Sequence, residues 1–267
     1  MLIIEGSFDP VCKAEIEEIK RIRKQTNTKD IYVTVKEDGT LPIEERTHLL
    51  SLAIKPYRHI HLTNQKNDHM ISFAKYEDLE NQARSGHMSL CAYGTRKYLF
   101  EHGYYFETSA KALCKPNRYE HSIRTAKTCV EIAKHYNYDL HKAYFAGVLH
   151  DITKAYTIEQ GKQVISIYKP EWLELSDKVW HSYTATIYLK QNMAYYDQDI
   201  LHAIEHHTLG DGNSILDHIL YIADKIEPGR GYDTSKQFEL ACHDLKACVE
   251  LVKQEGKEYR KTKGIKE

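Results

Sequence analysis

The hydrophobic pattern of this 267-residue chain changes character between residues 108 and 117, and the change calls for two folding units of different class. Before it, short apolar runs alternate with amphipathic segments, as parallel strands and crossover helices do. Leu2-Ile3-Ile4, Ile31 to Val35 and the stretch around His59 to Leu62 read as strands. Ala14 to Lys24, with Ile16, Ile19 and Ile22 at helical spacing, reads as a helix, as do a segment opened by Pro42 and Leu90 to His102, stopped by Gly103. Asn64 to Gly86 is too polar and aperiodic to assign. Beyond Pro116-Asn117 the strands vanish, and Ile123, Ala126, Val130 and Ala133 mark one face of a long helix. Further helices are expected at Leu140–Asp151, Ile158–Tyr168, Val179–Asn192, Gln198–His207, Ile215–Lys225 and Ser235–Gln254. The prediction is an α/β domain with a parallel sheet over residues 1–108, then an all-helical bundle over 109–267.

Composition narrows the function classes. Apolar residues at 42% and charged residues at 28% suit an ordinary globular chain with a sizeable core. Lys+Arg 37 against Asp+Glu 38 leaves net charge −1, so no global positive field would hold a nucleic acid by counterion release. The opening residues carry no basic leader and apolar stretch, and no run approaches the ~18 apolar residues of a membrane span, so a cytoplasmic protein without membrane partners is expected. Six cysteines without a CxxC pair argue against a disulfide framework or a thiolate zinc site.

The chemistry concentrates in the second half. Ala143 to Leu149 is almost wholly apolar and delivers His150-Asp151, with Lys154 following. Two ionisable groups at the end of a buried helix need partners or a metal. A lone His-Asp pair is weak evidence, and the chain holds a second one, His243-Asp244, in what reads as an ordinary helix with no later histidine to join it. The first pair differs in its company: His121 on the preceding helix, then His181, His206-His207 and Asp224, each on or at the end of a predicted helix. Facing helices of a bundle can bring such residues to one centre. Imidazoles and carboxylates suit iron, manganese, cobalt or zinc. Two ions are expected, with Asp151 bridging one held by His121, His150 and Asp224 to one held by His181 and His207. Neighbours on a helix point about 100° apart, so only one of His206 and His207 can face the site.

Arg118-Tyr119-Glu120-His121-Ser122, Leu149 to Lys154, Trp180-His181, His207-Thr208 and Tyr221 to Arg230 resemble the signatures of the bacterial YqeK-type HD family. The resemblance covers about residues 112–255. It implies symmetrical bis(5'-nucleosyl)-tetraphosphatase activity, which splits diadenosine tetraphosphate into two ADP at a di-iron site, and it assigns His207 rather than His206 as the ligand. Two cations there can lower the pKa of a bridging water to ~7 and present it to phosphorus, with Asp151 central to the catalysis. Lys154 is expected to neutralise phosphate charge, and Arg230, Arg124 and Thr208 to bind substrate. Glu205 and Asp211 read as surface residues. Another HD-type nucleotide phosphohydrolase or phosphodiesterase, or a nucleotide sensor with a structural metal, remains as an alternative. Bundles of this kind often pair, which leaves a homodimer open.

Gly6-Ser7-Phe8-Asp9-Pro10-Val11, Leu41 to Arg46 and Arg96 to Leu99 resemble nicotinate-nucleotide adenylyltransferases, whose opening strand, turn and helix hold ATP phosphates. Where that family carries HxGH, this chain reads Cys12-Lys13-Ala14-Glu15, and Leu79 to Arg84 stands roughly where its ISSTxIR motif belongs. The resemblance implies a degenerate, Rossmann-like nucleotidyltransferase domain, a scaffold or weak nucleotide-binding module. A bifunctional or vestigial transferase is the alternative.

Overall fold

A computed structural model describes residues 1–67 and 69–264, and the chain divides into two compact units, Met1–Ser109 and Ala110–Glu267. The first is built on a parallel four-stranded sheet in the order β3-β2-β1-β4. Its strands are β1 (Leu2–Gly6), β2 (Ile31–Val35), β3 (Ile60–Leu62) and β4 (Ile71–Ser72). In register, Ile3 pairs with Tyr32 and Ile4 with Val33. Ile3, Ile4, Ile31 and Val33 are fully buried, as strands covered on both faces require, and this gives the unbroken apolar runs seen in the sequence. Helices α1 (Lys13–Gln25), α2 (Ile43–Ile54), α3 (Glu77–Arg84) and α4 (Arg96–Glu101) accompany the sheet. Arg46 of α2 is fully buried and spends its guanidinium on the carbonyls of Ser7, Glu37, Asp38 and Leu41, stapling the loops above the sheet.

Two local expectations are corrected here. The polar stretch left unassigned contains β4 and α3; β4 is two residues long, so it has no room for a periodic pattern. Leu90 to His102 is helical only from Arg96 to Glu101. Before that, Cys91 is extended and its backbone pairs antiparallel with that of Cys12, both thiols being free, and a Cβ on Gly94 would come within 2.6 Å of the Leu52 carbonyl oxygen. The chain must pass Leu52 closely there, in a turn over residues 93–95, and the missing side chain of Gly94 allows it. Gly103, at φ 64°, does terminate the segment.

The second unit is helical: α5 (Phe106–Leu113) leads across the division to α6 (Pro116–His135), α7 (Leu140–Leu149), α8 (Ile158–Tyr168), α9 (Trp180–Tyr188), α10 (Gln198–His206), α11 (Ile215–Ile226), α12 (Ser235–His243) and α13 (Leu245–Thr262). The α/β-then-helical class predicted from the hydrophobic pattern is the class observed. Pro116 occupies the first turn of α6, where its missing N–H costs no hydrogen bond. Asp139 caps α7 by accepting from His141 N and Lys142 N. Helices α6 and α7 meet at Gly147, where a Cβ would lie 2.4 Å from Ala126 Cα; that contact sets how closely the two helices approach.

The expected helix Ser235–Gln254 is two helices. Asp244 breaks it in an extended conformation, φ −148° and ψ 96°, and its carboxylate accepts from Ala247 N to cap α13. The second His-Asp pair is thus a helix junction rather than part of an ordinary helix. The helix expected at Val179–Asn192 is α-helical to Tyr188 and then widens into a π turn, Leu189–Met193, closed by Ala194 at φ 55°. Among the described residues, no helix is long and apolar enough to cross a membrane.

Candidate metal centre

Four helix ends and one helix interior supply the centre. His121 projects from the second turn of α6, and His150 and Asp151 follow the last residue of α7. His181 opens α9, His207 follows the last residue of α10, and Asp224 lies in the last turn of α11. All six are buried. The apolar run Ala143 to Leu149 explains part of this, because it draws α7 into the core and its carboxy-terminal turn goes with it.

Asp151 sits between two sets of imidazoles. On the Oδ2 side, His150 Nε2 lies at 3.4 Å and His121 Nε2 at 3.9 Å, and both rings approach Asp224 Oδ1, at 3.7 Å and 2.9 Å. On the Oδ1 side, His181 Nε2 lies at 3.2 Å and His207 Nε2 at 3.8 Å. In each of the sets His121, His150, Asp151 and Asp151, His181, His207, one candidate ligand atom per residue lies within 4.8 Å of the others.

Two of these rings are oriented by their own helices. Nδ1–H of His150 donates to Gly147 O at 2.7 Å, and Nδ1–H of His207 donates to Ile204 O at 2.6 Å. The acceptors belong to the last turns of α7 and α10, where carbonyls lack an intrahelical partner. Nε2 of each ring is thereby left to face the centre. His150 Nε2 and Asp151 Oδ1 are buried without a hydrogen-bond partner among the described residues, a costly condition for polar atoms that a bound cation would relieve. The donor set of nitrogen and carboxylate oxygen fits a divalent transition metal.

Electrostatics point the same way. Burial would raise the Asp151 carboxyl, but the neighbouring His150 and His181 outweigh it and hold it well below the usual carboxylate range. Asp224 is likewise held low against its burial by Lys225 and His121. Burial pushes the His181 imidazole down, and the His207 imidazole well down with help from His150 and His181. Only for His150 does the charge of Asp151 overcome burial and raise the ring. For Asp151, Asp224, His181 and His207 these directions favour the ionised carboxylates and neutral imidazoles that metal binding requires, whereas His150 holds a proton that a bound ion would displace.

A cavity of about 270 Å³ opens on the centre, lined by Arg118, Asp151, Lys154, Lys178, Val179, His181, Thr208, Asp224, Lys225 and Arg230. Five of those side chains are cationic. Lys154 Nζ reaches His181 Nδ1 at 3.0 Å, Thr208 donates to Ser182 Oγ at 3.1 Å, and Arg230 Nη2 donates to Asp224 Oδ1 at 2.7 Å. Arg124 is not among the lining residues; its Nε donates to Glu227 Oε2 at 2.5 Å. His206 turns away from the centre to pair with Asp211 at 2.7 Å, and Glu205 pairs with Lys169. Arg118, Lys178, Lys225 and Glu227 were not singled out from the sequence. Helical spacing offered a signal for Arg118, one turn before His121, and adjacency one for Lys225. A larger groove in the first unit, about 830 Å³ and lined in part by Lys20, Arg21, Lys24, Tyr57 and Arg58, holds neither of the two candidate metal sets.

In the first unit, the segment replacing HxGH is folded inward. Glu15 is fully buried, accepts from Cys12 N at 2.7 Å, and faces the buried Glu80 of α3. Burial raises both carboxyls, Glu15 well above its ordinary value. Ser7 donates to Glu80 at 2.7 Å, Tyr105 to Asp9 at 2.5 Å, and Arg84 to the Asp9 carbonyl. The loop that would cradle phosphate is thus tied up internally.

Comparison with known proteins follows the same division. The HD domain family model matches residues 118–229. The symmetrical bis(5'-nucleosyl)-tetraphosphatase of Halalkalibacterium halodurans is 32% identical over 130 residues, 46% of this chain and 70% of that protein. Its Bacillus subtilis namesake is 33% identical over 119 residues, of which this chain spans 64% of the length. A probable nicotinate-nucleotide adenylyltransferase/Ap4A hydrolase of Mycoplasma genitalium is 28% identical over 247 residues, 82% of this chain and 68% of that protein. A predicted HD superfamily hydrolase involved in NAD metabolism from Clostridium acetobutylicum superposes with a TM-score of 0.55 at 30% identity, covering 60% of this chain and 87% of the other.

Proposed function

We propose, on the premise that this chain belongs to the HD-domain family of symmetrical bis(5'-nucleosyl)-tetraphosphatases, that it hydrolyses dinucleoside polyphosphates and cleaves diadenosine tetraphosphate into two ADP. The observation that carries the reading is the pairing of a buried carboxylate, Asp151, between two imidazole sets with a cationic cavity at its mouth. His121, His150 and Asp224 would hold one divalent ion, His181 and His207 a second, and Asp151 would join them. Bound ions supply a water acidic enough to act as a nucleophile at neutral pH and neutralise charge on the phosphate. Iron is expected from the family, with manganese, cobalt and zinc compatible with the same donors.

The protein's own groups do the positioning. Arg118, Lys154, Lys178, Lys225 and Arg230 line the cavity and would bind the phosphate chain and offset charge that grows on it during cleavage. Thr208 offers a hydroxyl to a phosphate oxygen. At about 270 Å³ the cavity falls just below the ~300–1,000 Å³ that encloses a drug-sized ligand, so it suits a stretch of phosphate chain with the nucleosides outside. The buried Glu15 and the engaged Arg84 support a first unit without adenylyl-transfer activity, because a triphosphate would meet a carboxylate where histidines are needed.

The test is product analysis after incubation with iron or manganese and diadenosine tetraphosphate. ADP alone is expected. AMP with ATP would overturn symmetrical cleavage, and hydrolysis confined to other nucleotides would move the substrate class. Pyrophosphate release from ATP and nicotinate mononucleotide would overturn the reading of the first unit.

A further inference from the structure

His121 lacks the local support that orients two of its companions. His150 and His207 find acceptors in their own helix ends. His121 stands inside α6, where the carbonyls of the preceding turn are committed to the helix itself. Its Nδ1 instead faces Glu227 Oε1 at 3.1 Å, a residue 106 positions away.

The Glu227 carboxylate is 2% exposed and gathers two further donors, Arg124 Nε at 2.5 Å and Gly229 N at 2.6 Å, both on Oε2. The local chain is shaped for this. Glu227 leaves α11 in an extended conformation, φ −55° and ψ 148°, and Pro228 follows. A Cβ on Gly229 would lie within 2.5 Å of the Arg124 guanidinium, so a side chain there would displace the arginine. One oxygen is therefore held by Arg124 and the backbone, and the other is aimed at the histidine.

We infer that Glu227 is a positioning residue of the metal centre, holding His121 with Nδ1–H outward and Nε2 presented to the metal, and that Arg124 acts through it. The inference rests on the proposed metal site. It also gives Arg124 a task different from the substrate contact expected from sequence, and accounts for the segment Ile226-Glu227-Pro228-Gly229-Arg230 as a bracket built around Arg124. Carboxylate partners of ligating histidines fix ring orientation and raise ligand basicity, and their loss typically costs about 10–100-fold in metal affinity.

The experiment is a titration of the metal-stripped full chain with manganese and with cobalt, the latter followed by its visible absorption. Glu227→Gln keeps an oxygen for the Arg124 and Gly229 donors and turns an amide NH2 toward His121 Nδ1, which removes the acceptor for its N–H. It should weaken binding about 10–100-fold and alter the cobalt spectrum, with the circular dichroism and melting profile of the metal-free protein retained. Should Glu227→Gln fail to fold, Arg124→Ala decides, since it loosens Glu227 from a partly exposed position; a several-fold loss of affinity and a shifted cobalt spectrum are expected. Wild-type affinity and spectrum in either folded variant would overturn the inference. A wild-type protein that takes up no metal would instead overturn the site it rests on, so the two failures read differently.

Discussion

Arg118 Nη1 lies 3.0 Å from Asp151 Oδ2, joining the first turn of α6 to the carboxylate that follows α7. The guanidinium, part-exposed, therefore lines the cavity directly beside the centre, within reach of a phosphate drawn up to it. Hydrogen bonds to charged groups are worth about 1.5–3 kcal/mol, so Arg118→Ala should lower kcat/KM for diadenosine tetraphosphate about 10–100-fold. Steady-state kinetics with metal content measured on the same preparation will check this; an unchanged kcat/KM would remove Arg118 from the site.

Asp151 is the one residue shared by both candidate ligand sets. Asp151→Ala should abolish stoichiometric metal binding and reduce hydrolysis by about 10³-fold or more, the scale on which residues acting as a unit fail. Elemental analysis and product formation are the measurements. Chelator treatment of the wild type should have the same effect and be reversed by added iron or manganese, whereas activity surviving the substitution would displace the centre.

Gly147→Ala tests how the centre is assembled. The added methyl would press on the Ala126 backbone, and overpacking of this kind costs about 1–3 kcal/mol. A drop of several degrees in melting temperature is expected, with weaker metal binding because α7 carries His150. A variant as stable as wild type would mean that the α6–α7 contact yields freely.

Much of this arrangement was legible in the sequence because its causes are local. The apolar run ahead of His150 and the recurrence of histidines at helix ends are both short-range patterns. Helix phase separates His206, half-buried and paired with Asp211, from the buried His207. What escaped was long-range. Glu227 meets His121 across 106 residues, and nothing in the spacing of either announces the other. Strand β4 escaped for a different reason, since a two-residue strand gains its structure from pairing with β1 rather than from its own pattern.

The buried carboxyls of the first unit yield a pH prediction. Burial, then Glu80, raises Glu15 in the native state above the ~4.3 of an unfolded glutamate. The folded form thus binds the proton more tightly, so this contribution to stability is full below the unfolded value and is lost as pH rises through the raised one. Glu15→Gln keeps an acceptor for Cys12 N and supplies a donor toward Glu80. At pH 8 it should stabilise the chain by about 1–3 kcal/mol, the usual cost of a buried polar atom such as Glu15 Oε1 left unpartnered. Melting curves from pH 5 to 8 should show the gap over wild type widening with pH; a constant or reversed gap would refute the raised Glu15 carboxyl.

The carbonyls of Gly147 and Ile204 set His150 and His207 as soon as α7 and α10 exist. The geometry of these two rings is then a by-product of helix termination. These two ligands should therefore be oriented by the fold itself, unlike those of small zinc domains that fold only around their metal. Ligands set in this way should let the site exchange its metal without refolding, so the metal the protein carries should track the supply around it, and its activity should follow that supply.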